Sequence, residues 1–190
     1  MGKTNDSRTL KRRSFLNANI ASFPLALLGQ TAHLDGAPQP AGAKGYILGP
    51  DEGETVLVRN SKLIVKVCPQ TGSRGMAAGT QQLPPGAAIP VHKHYSDEML
   101  VVQRGAAMAI LGDQRSLAAS GSIIFIPKGV WHGVEPVEED TQLLWVVSPP
   151  GLEGFFRETG RKPGDPIKQL TPQEIEDIAR KHGTVFRLQP

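Results

Sequence analysis

Apolar, β-branched runs of four or five residues recur along the body of the chain at 55–58, 63–67, 99–102, 107–111, 123–126 and 143–147. Turn residues separate them: Gly49-Pro50, Asp51-Glu52-Gly53, Asn60-Ser61, Gly72-Ser73, Pro84-Pro85-Gly86, Gly105, Gly112-Asp113, Gly121 and Pro127-Lys128-Gly129. Runs this short, punctuated every 8 to 12 residues or so, predict strands of an all-β sandwich or barrel. Gly112-Asp113-Gln114, between two such runs, predicts a hairpin tip. The sequence shows no internal repeat and no heptads.

The pattern changes period near the end. Thr171-Pro172-Gln173-Glu174 places a capping Thr, a Pro at the first helical position and a Glu three residues after the cap, so a helix is predicted over 172–182. Ile175, Ile178, Ala179 and His182 fall on one face, and Gly183 ends it. About three turns are marginal alone, so that face must dock on the barrel, as packing or as a lid.

Residues 1–43 read differently. Lys11-Arg12-Arg13-Ser14-Phe15-Leu16 precedes an apolar stretch at 18–29, and Ala41-Gly42-Ala43 is an A-x-A cleavage candidate. Twelve residues cannot span about 30 Å of hydrocarbon, so stable membrane insertion is excluded for this stretch. A basic start, a short apolar core and a small-residue site make an export signal, and the arginine pair resembles the twin-arginine class of bacterial leaders. The expectation is a periplasmic protein, with a cytoplasmic one as the alternative. The chain then divides into a signal and linker at 1–43 and one domain at 44–190, with a barrel core over about 53–148.

The net charge of +3 lies in that leader, which holds five basic and two acidic residues, leaving 16 of each in the body. A body without a positive field does not favour nucleic acid as a partner. The single Cys68 cannot form an internal disulfide and follows an alternating strand run, where a small buried hydrophobe is expected.

Three of the five histidines, His92, His94 and His132, lie in one region with Glu98. Histidines at i and i+2 of a strand point to the same face. Tyr95-Ser96-Asp97 can reverse the chain, bringing Glu98 back to that point from the neighbouring strand, with Leu100 and Val102 on its face. A carboxylate on an apolar inner face is costly unless it is paired or bound to a cation, and a metal ion removes that cost. Three imidazoles and one carboxylate suit Fe, Mn, Ni, Cu, Co or Zn. Trp131, beside His132, is a candidate aromatic wall or a packing residue at the rim.

As a pattern, Gly86-x5-His92-x-His94-x3-Glu98-x6-Gly105 is followed after 15 residues by Gly121-x5-Pro127-x-Gly129-x2-His132. These strings resemble the two signature motifs of the cupin superfamily. Pro136 stands where the family often has Asn. The resemblance implies a single jelly-roll β-barrel (double-stranded β-helix) with a short C-terminal α-helix, and one divalent transition metal held by His92, His94, Glu98 and His132. Such barrels commonly pair, so a homodimer is expected. The segment after the second motif, with Gly154-Phe155-Phe156-Arg157-Glu158 and the final helix, is similar to small quercetin dioxygenase-like cupins. That implies a metal-dependent dioxygenase using dioxygen on a small enolic or phenolic substrate, with Glu98 as a catalytic proton acceptor as well as a ligand. A metal-dependent isomerase or epimerase and a non-catalytic small-ligand-binding module are the alternatives.

Overall fold

The computed structural model describes residues 44–187. The expected leader at 1–43 lies outside the described residues. In chain order the elements are β1 (Glu54–Val58), β2 (Ser61–Val67), β3 (Ala77–Leu83), β4 (Ile89–His94), β5 (Asp97–Arg104), β6 (Ala106–Leu111), β7 (Gln114–Ala119), β8 (Ile123–Ile126), β9 (His132–Pro136), β10 (Thr141–Ser148), α1 (Leu152–Thr159), α2 (Pro172–Lys181) and β11 (Thr184–Phe186). All strand pairings are antiparallel and form two sheets, ordered β1-β2-β3-β10-β5-β8 and β11-β4-β9-β6-β7. This is a jelly-roll barrel with a short C-terminal helix, as the sequence predicts.

The period-2 pattern decides what fills the barrel. On β10, Leu143, Trp145 and Val147 are buried while Gln142, Leu144 and Val146 between them stay partly exposed. Glu98, Leu100 and Val102 alternate inward in the same way on β5. Each large apolar side chain taken out of water contributes roughly 1.5–3 kcal/mol, so a one-residue slip would forfeit a whole row. Trp145 fits only because residue 79 on β3 is glycine. A Cβ there would collide with the Ile64 carbonyl oxygen and stand 2.7 Å from Trp145 Cζ2.

The predicted hairpin tip is the two-residue turn Gly112-Asp113, closed by the pair Leu111 and Gln114. The predicted helix is α2: Glu174 N–H donates to Thr171 Oγ1, the Glu174 carboxylate accepts from Thr171 N–H at 2.8 Å, and His182 caps its end. Ala179 is wholly buried, so α2 is a packing element, and Ile175 also walls the cavity described below.

Strands β3, β7 and β9 fall outside the apolar runs that mark the other strands, and α1 and β11 were not expected either. Leu152, Phe155, Phe156 and Thr159 follow helical spacing in α1, but Gly151 and Gly154 dilute that signal. Arg157 of α1 fastens the helix to β1 through Glu54, with Nη2 donating to Oε2 at 2.7 Å. The three-residue strand β11 then pairs with β4, so that Thr184 stands opposite His94 and Phe186 opposite His92.

Candidate metal centre

His92 and His94 alternate to the inner face of β4, and β9 brings His132 directly opposite His92. Glu98 comes from elsewhere than the neighbouring strand expected for it. The chain crosses at Tyr95-Ser96 from one sheet to the other, so β5 delivers the carboxylate from the facing sheet. Three contacts hold that corner: Ser96 Oγ donates to the Pro149 carbonyl at 2.7 Å, Lys128 N–H to Asp97 Oδ1 at 2.8 Å, and Gly129 N–H to the His94 carbonyl at 2.8 Å. Gly129 has a φ of 79°, a left-handed conformation that glycine adopts without steric cost, which explains its fixed place in the second motif.

All four side chains are buried, and their ligand atoms lie within 4.8 Å of one another. Each imidazole is oriented by a local bond. Nδ1 of His92, His94 and His132 lies 2.8, 2.9 and 2.9 Å from the carbonyls of Pro90, Ser96 and Val130. A carbonyl can only accept, so Nδ1 carries the proton in each neutral ring and its Nε2 is left facing inward. Orienting bonds of this kind are what metal-ligating imidazoles typically have.

Those inward atoms demand a cation. His94 Nε2 and His132 Nε2 each lie 3.0 Å from Glu98 Oε2, yet His132 Nε2 is off the hydrogen-bond direction and is left without a partner. Unprotonated nitrogens this close to a carboxylate oxygen repel unless a proton or a metal ion sits among them. Burial lowers His92 to about 4, reinforced by the positive charge that His132 can carry, so its ring is neutral at pH 7 and has no proton to lose on ligation. Burial pushes Glu98 up, but where no metal ion sits in the cluster, hydrogen bonds and positive charge from protonated His132 and His94 together outweigh it and bring it to about 2, which keeps the carboxylate charged. The donor set fits one divalent transition metal ion.

The site opens on one side into a cavity of about 760 Å³ between the barrel and the C-terminal segment, which His92, Glu98 and His132 line together with Trp145, Thr184 and Phe186. Phe155 and Phe156 of α1 complete an aromatic wall, with the Phe156 ring 5.5 Å from Trp145 and the Phe155 ring 5.8 Å from Phe186. Trp131 is not part of that lining. It lies between Lys93 and Arg187, whose cationic groups sit 4.8 and 5.0 Å from its ring centre, and it is therefore a rim packing residue. Cys68 is buried as expected, although Arg157 Nη2 lies 3.4 Å from its sulfur, a neighbour 89 positions away in the chain.

A buried site of three imidazoles and one carboxylate, spanning both sheets of a small jelly roll, defines a metal-binding β-barrel. Residues 79–147 match the family described as Cupin domain, and the chain belongs to the cupin superfamily. An uncharacterized protein of Streptomyces coelicolor is 34% identical over 77 residues, which are 40% of this chain and 73% of that one. Gentisate 1,2 dioxygenase 1 of Aquipseudomonas alcaligenes is 22% identical over 148 residues, which are 73% of this chain and 42% of that enzyme. Among solved structures, KdgF from Halomonas superposes with a TM-score of 0.52 at 19% identity, covering 56% of this chain and 96% of that one. An RmlC-like cupin from Shewanella frigidimarina gives 0.51 at 18% identity, covering 56% and 93%. Likeness at this identity establishes the shared fold.

Proposed function

We propose that this cupin is a metal-dependent dioxygenase of the quercetin dioxygenase-like kind, acting on a small enolic or phenolic substrate. The observation that carries the reading is a three-histidine, one-glutamate centre opening into an aromatic-walled cavity large enough for one small ring. A divalent ion balanced by a single carboxylate keeps about one positive charge, which favours an anionic oxygen, and it supplies Lewis-acid and redox chemistry at that point. The chain's own residues do the rest. The backbone carbonyls of Pro90, Ser96 and Val130 fix the imidazoles, the aromatic wall excludes water, and the Glu98 carboxylate accepts the substrate proton. The partial similarity to gentisate 1,2 dioxygenase 1 supports the dioxygenase reading.

The test is an oxygen electrode. Metal-loaded protein is expected to consume dioxygen when given a flavonol or a small enolisable dicarbonyl, and to stop when the metal is chelated. Isomerisation without oxygen uptake would replace this reading with the isomerase one, and saturable binding without turnover of either class would replace it with a binding module.

Pairing of two barrels belongs to the same proposal. On the outer face of β5 and the edge strand β8, Met99 stands opposite Phe125 and Val101 opposite Ile123, and Ile123 and Phe125 are 66% and 60% exposed. An apolar edge of this kind favours association with a second copy. A solution mass of two chains, falling to one in Phe125→Lys, is expected; a single-chain mass for the unaltered protein would discard the pairing.

A further inference from the structure

Two of the four metal ligands, His92 and His94, sit on β4, and in the sheet order β11-β4-β9-β6-β7 only β11 keeps that strand from being an edge among the described residues. An edge strand presents unpaired backbone groups to water and opens locally at lower cost than a strand paired on both sides. Ligands on a fraying strand lose their aim. The geometry of the centre is therefore tied to three residues at the other end of the domain, Thr184, Val185 and Phe186.

The register extends that tie from backbone to side chains. Arg187 N–H donates to the Val91 carbonyl at 2.9 Å, so those two residues form a hydrogen-bonded pair. Antiparallel pairs alternate, which makes Phe186 with His92 and Thr184 with His94 the non-hydrogen-bonded pairs, whose side chains stand closest. The Phe186 ring is 5.9 Å from the His92 imidazole and 5.8 Å from the Phe155 ring of α1. Thr184 is 1% exposed beside His94, the one ligand of the four that does not line the cavity. The carbonyl bond at Nδ1 fixes one atom of each ring, and packing against the ring fixes its orientation.

The helices hold β11 in turn. Lys181 and His182, at the end of α2, both reach Glu158 Oε1 of α1 at 2.8 Å, and Ala179 is wholly buried. Three residues with a single strand partner have little pairing strength of their own, so β11 stays closed because its entry point is anchored.

We propose that β11 is a latch on the metal centre: Phe186 and Thr184 position the imidazoles of His92 and His94, and the time the ion stays bound is set by how often β11 lets go of β4. The proposal needs only the metal centre, and consumption of dioxygen does not enter it.

Protein loaded with Co2+, whose visible bands report its ligands, is mixed with excess EDTA and the bands are followed as the ion is lost. Phe186→Ala is expected to speed the loss at least about tenfold, the usual scale for a residue that orients a ligand, while Phe186→Leu, which keeps an apolar body against His92, stays within about threefold of the parent. Val185→Pro is expected to speed it as much as Phe186→Ala. The Val185 side chain is 38% exposed on the outer face, so that change acts through the backbone N–H paired with Lys93. Leu83→Val separates positioning from mere stability. Leu83 is buried at the end of β3 remote from Ala77, and it is Ala77 that shares a row with Val147 and Glu98. That variant is expected to lower the melting temperature of the metal-free protein without speeding the loss of Co2+.

Linkage provides a second measurement, on the unaltered chain. If β11 holds the ligands, the ion must hold β11. Hydrogen exchange of the Arg187 amide is expected to slow at least about tenfold on Co2+ loading, with the amides of β7, at the far edge of the same sheet, unchanged. Loss rates like the parent's in Phe186→Ala and Val185→Pro, a Leu83→Val rate raised as much as theirs, or an Arg187 amide that Co2+ protects no more than those of β7 would each overturn the proposal.

Discussion

Changing His132 to Ala, or His92 to Ala, is expected to take purified protein from close to one transition metal ion per chain to less than about a tenth of that. The size follows from what is lost. Changing a residue that merely orients a ligand typically weakens affinity 10 to 100-fold, and these variants delete the ligand itself. His132 is the sharper case, since its Nε2 has no protein hydrogen bond to compensate and its ring is 2% exposed, so water does not readily replace it. The fold should survive in both, because each residue sits at the site end of its strand and the barrel core is assembled from Leu63, Leu83, Leu143, Trp145 and Val147. Elemental analysis, with far-ultraviolet circular dichroism as the control for folding, reads the outcome. His182→Ala is the matched control, because that histidine bonds Glu158 at 2.8 Å between the helices and stands outside the cluster. Metal content unchanged in both site variants would overturn the assignment.

Glu98→Gln is expected to lower turnover by roughly 10² to 10⁴, the usual contribution of a general base, while lowering metal content far less. Three inward Nε2 atoms still hold the ion, and glutamine keeps the size of the side chain and an oxygen to offer. What disappears is the charge. Glu98 is held ionised, with its pKa brought to about 2, so at neutral pH it supplies the one negative charge at the floor of the cavity that glutamine lacks. Without it, the centre is one unit more positive and has no anionic base beside the substrate. The comparison is kcat per bound metal ion against the unaltered protein, under oxygen-uptake conditions. A loss of activity no larger than the loss of metal would confine Glu98 to ligation.

That His92 and His94 aim at one point was legible in the chain because the step that fixes it is local, while His132 and Glu98 join them through the motif spacing shared with cupins. Side chains two apart on a strand share a face, which aims His92 and His94 together, and the glycines and prolines between the runs set where the strands stop. The inward row Glu98, Leu100 and Val102, the turn at Gly112-Asp113 and the Thr171–Glu174 cap of α2 follow for the same reason.

What only the tertiary structure decided is which strands meet. Period-2 alternation says which residues share a face but not which sheet a strand joins, so it could not tell that Glu98 reaches the histidines from across the barrel. β3 is built largely of Ala, Gly and Gln, weak strand formers, and exists because β2 and β10 pair with it on either side. β11 consists of good strand formers, Thr184-Val185-Phe186, but at three residues it is too short to be marked from sequence and is set by pairing with β4. Trp145 and Thr184 carry no motif, and Trp131, which adjoins one, turned out to pack at the rim. His94 and Thr184 are 90 positions apart yet stand side by side. Contacts over such separations depend on the free energy of closing the whole barrel, which no short window of sequence contains.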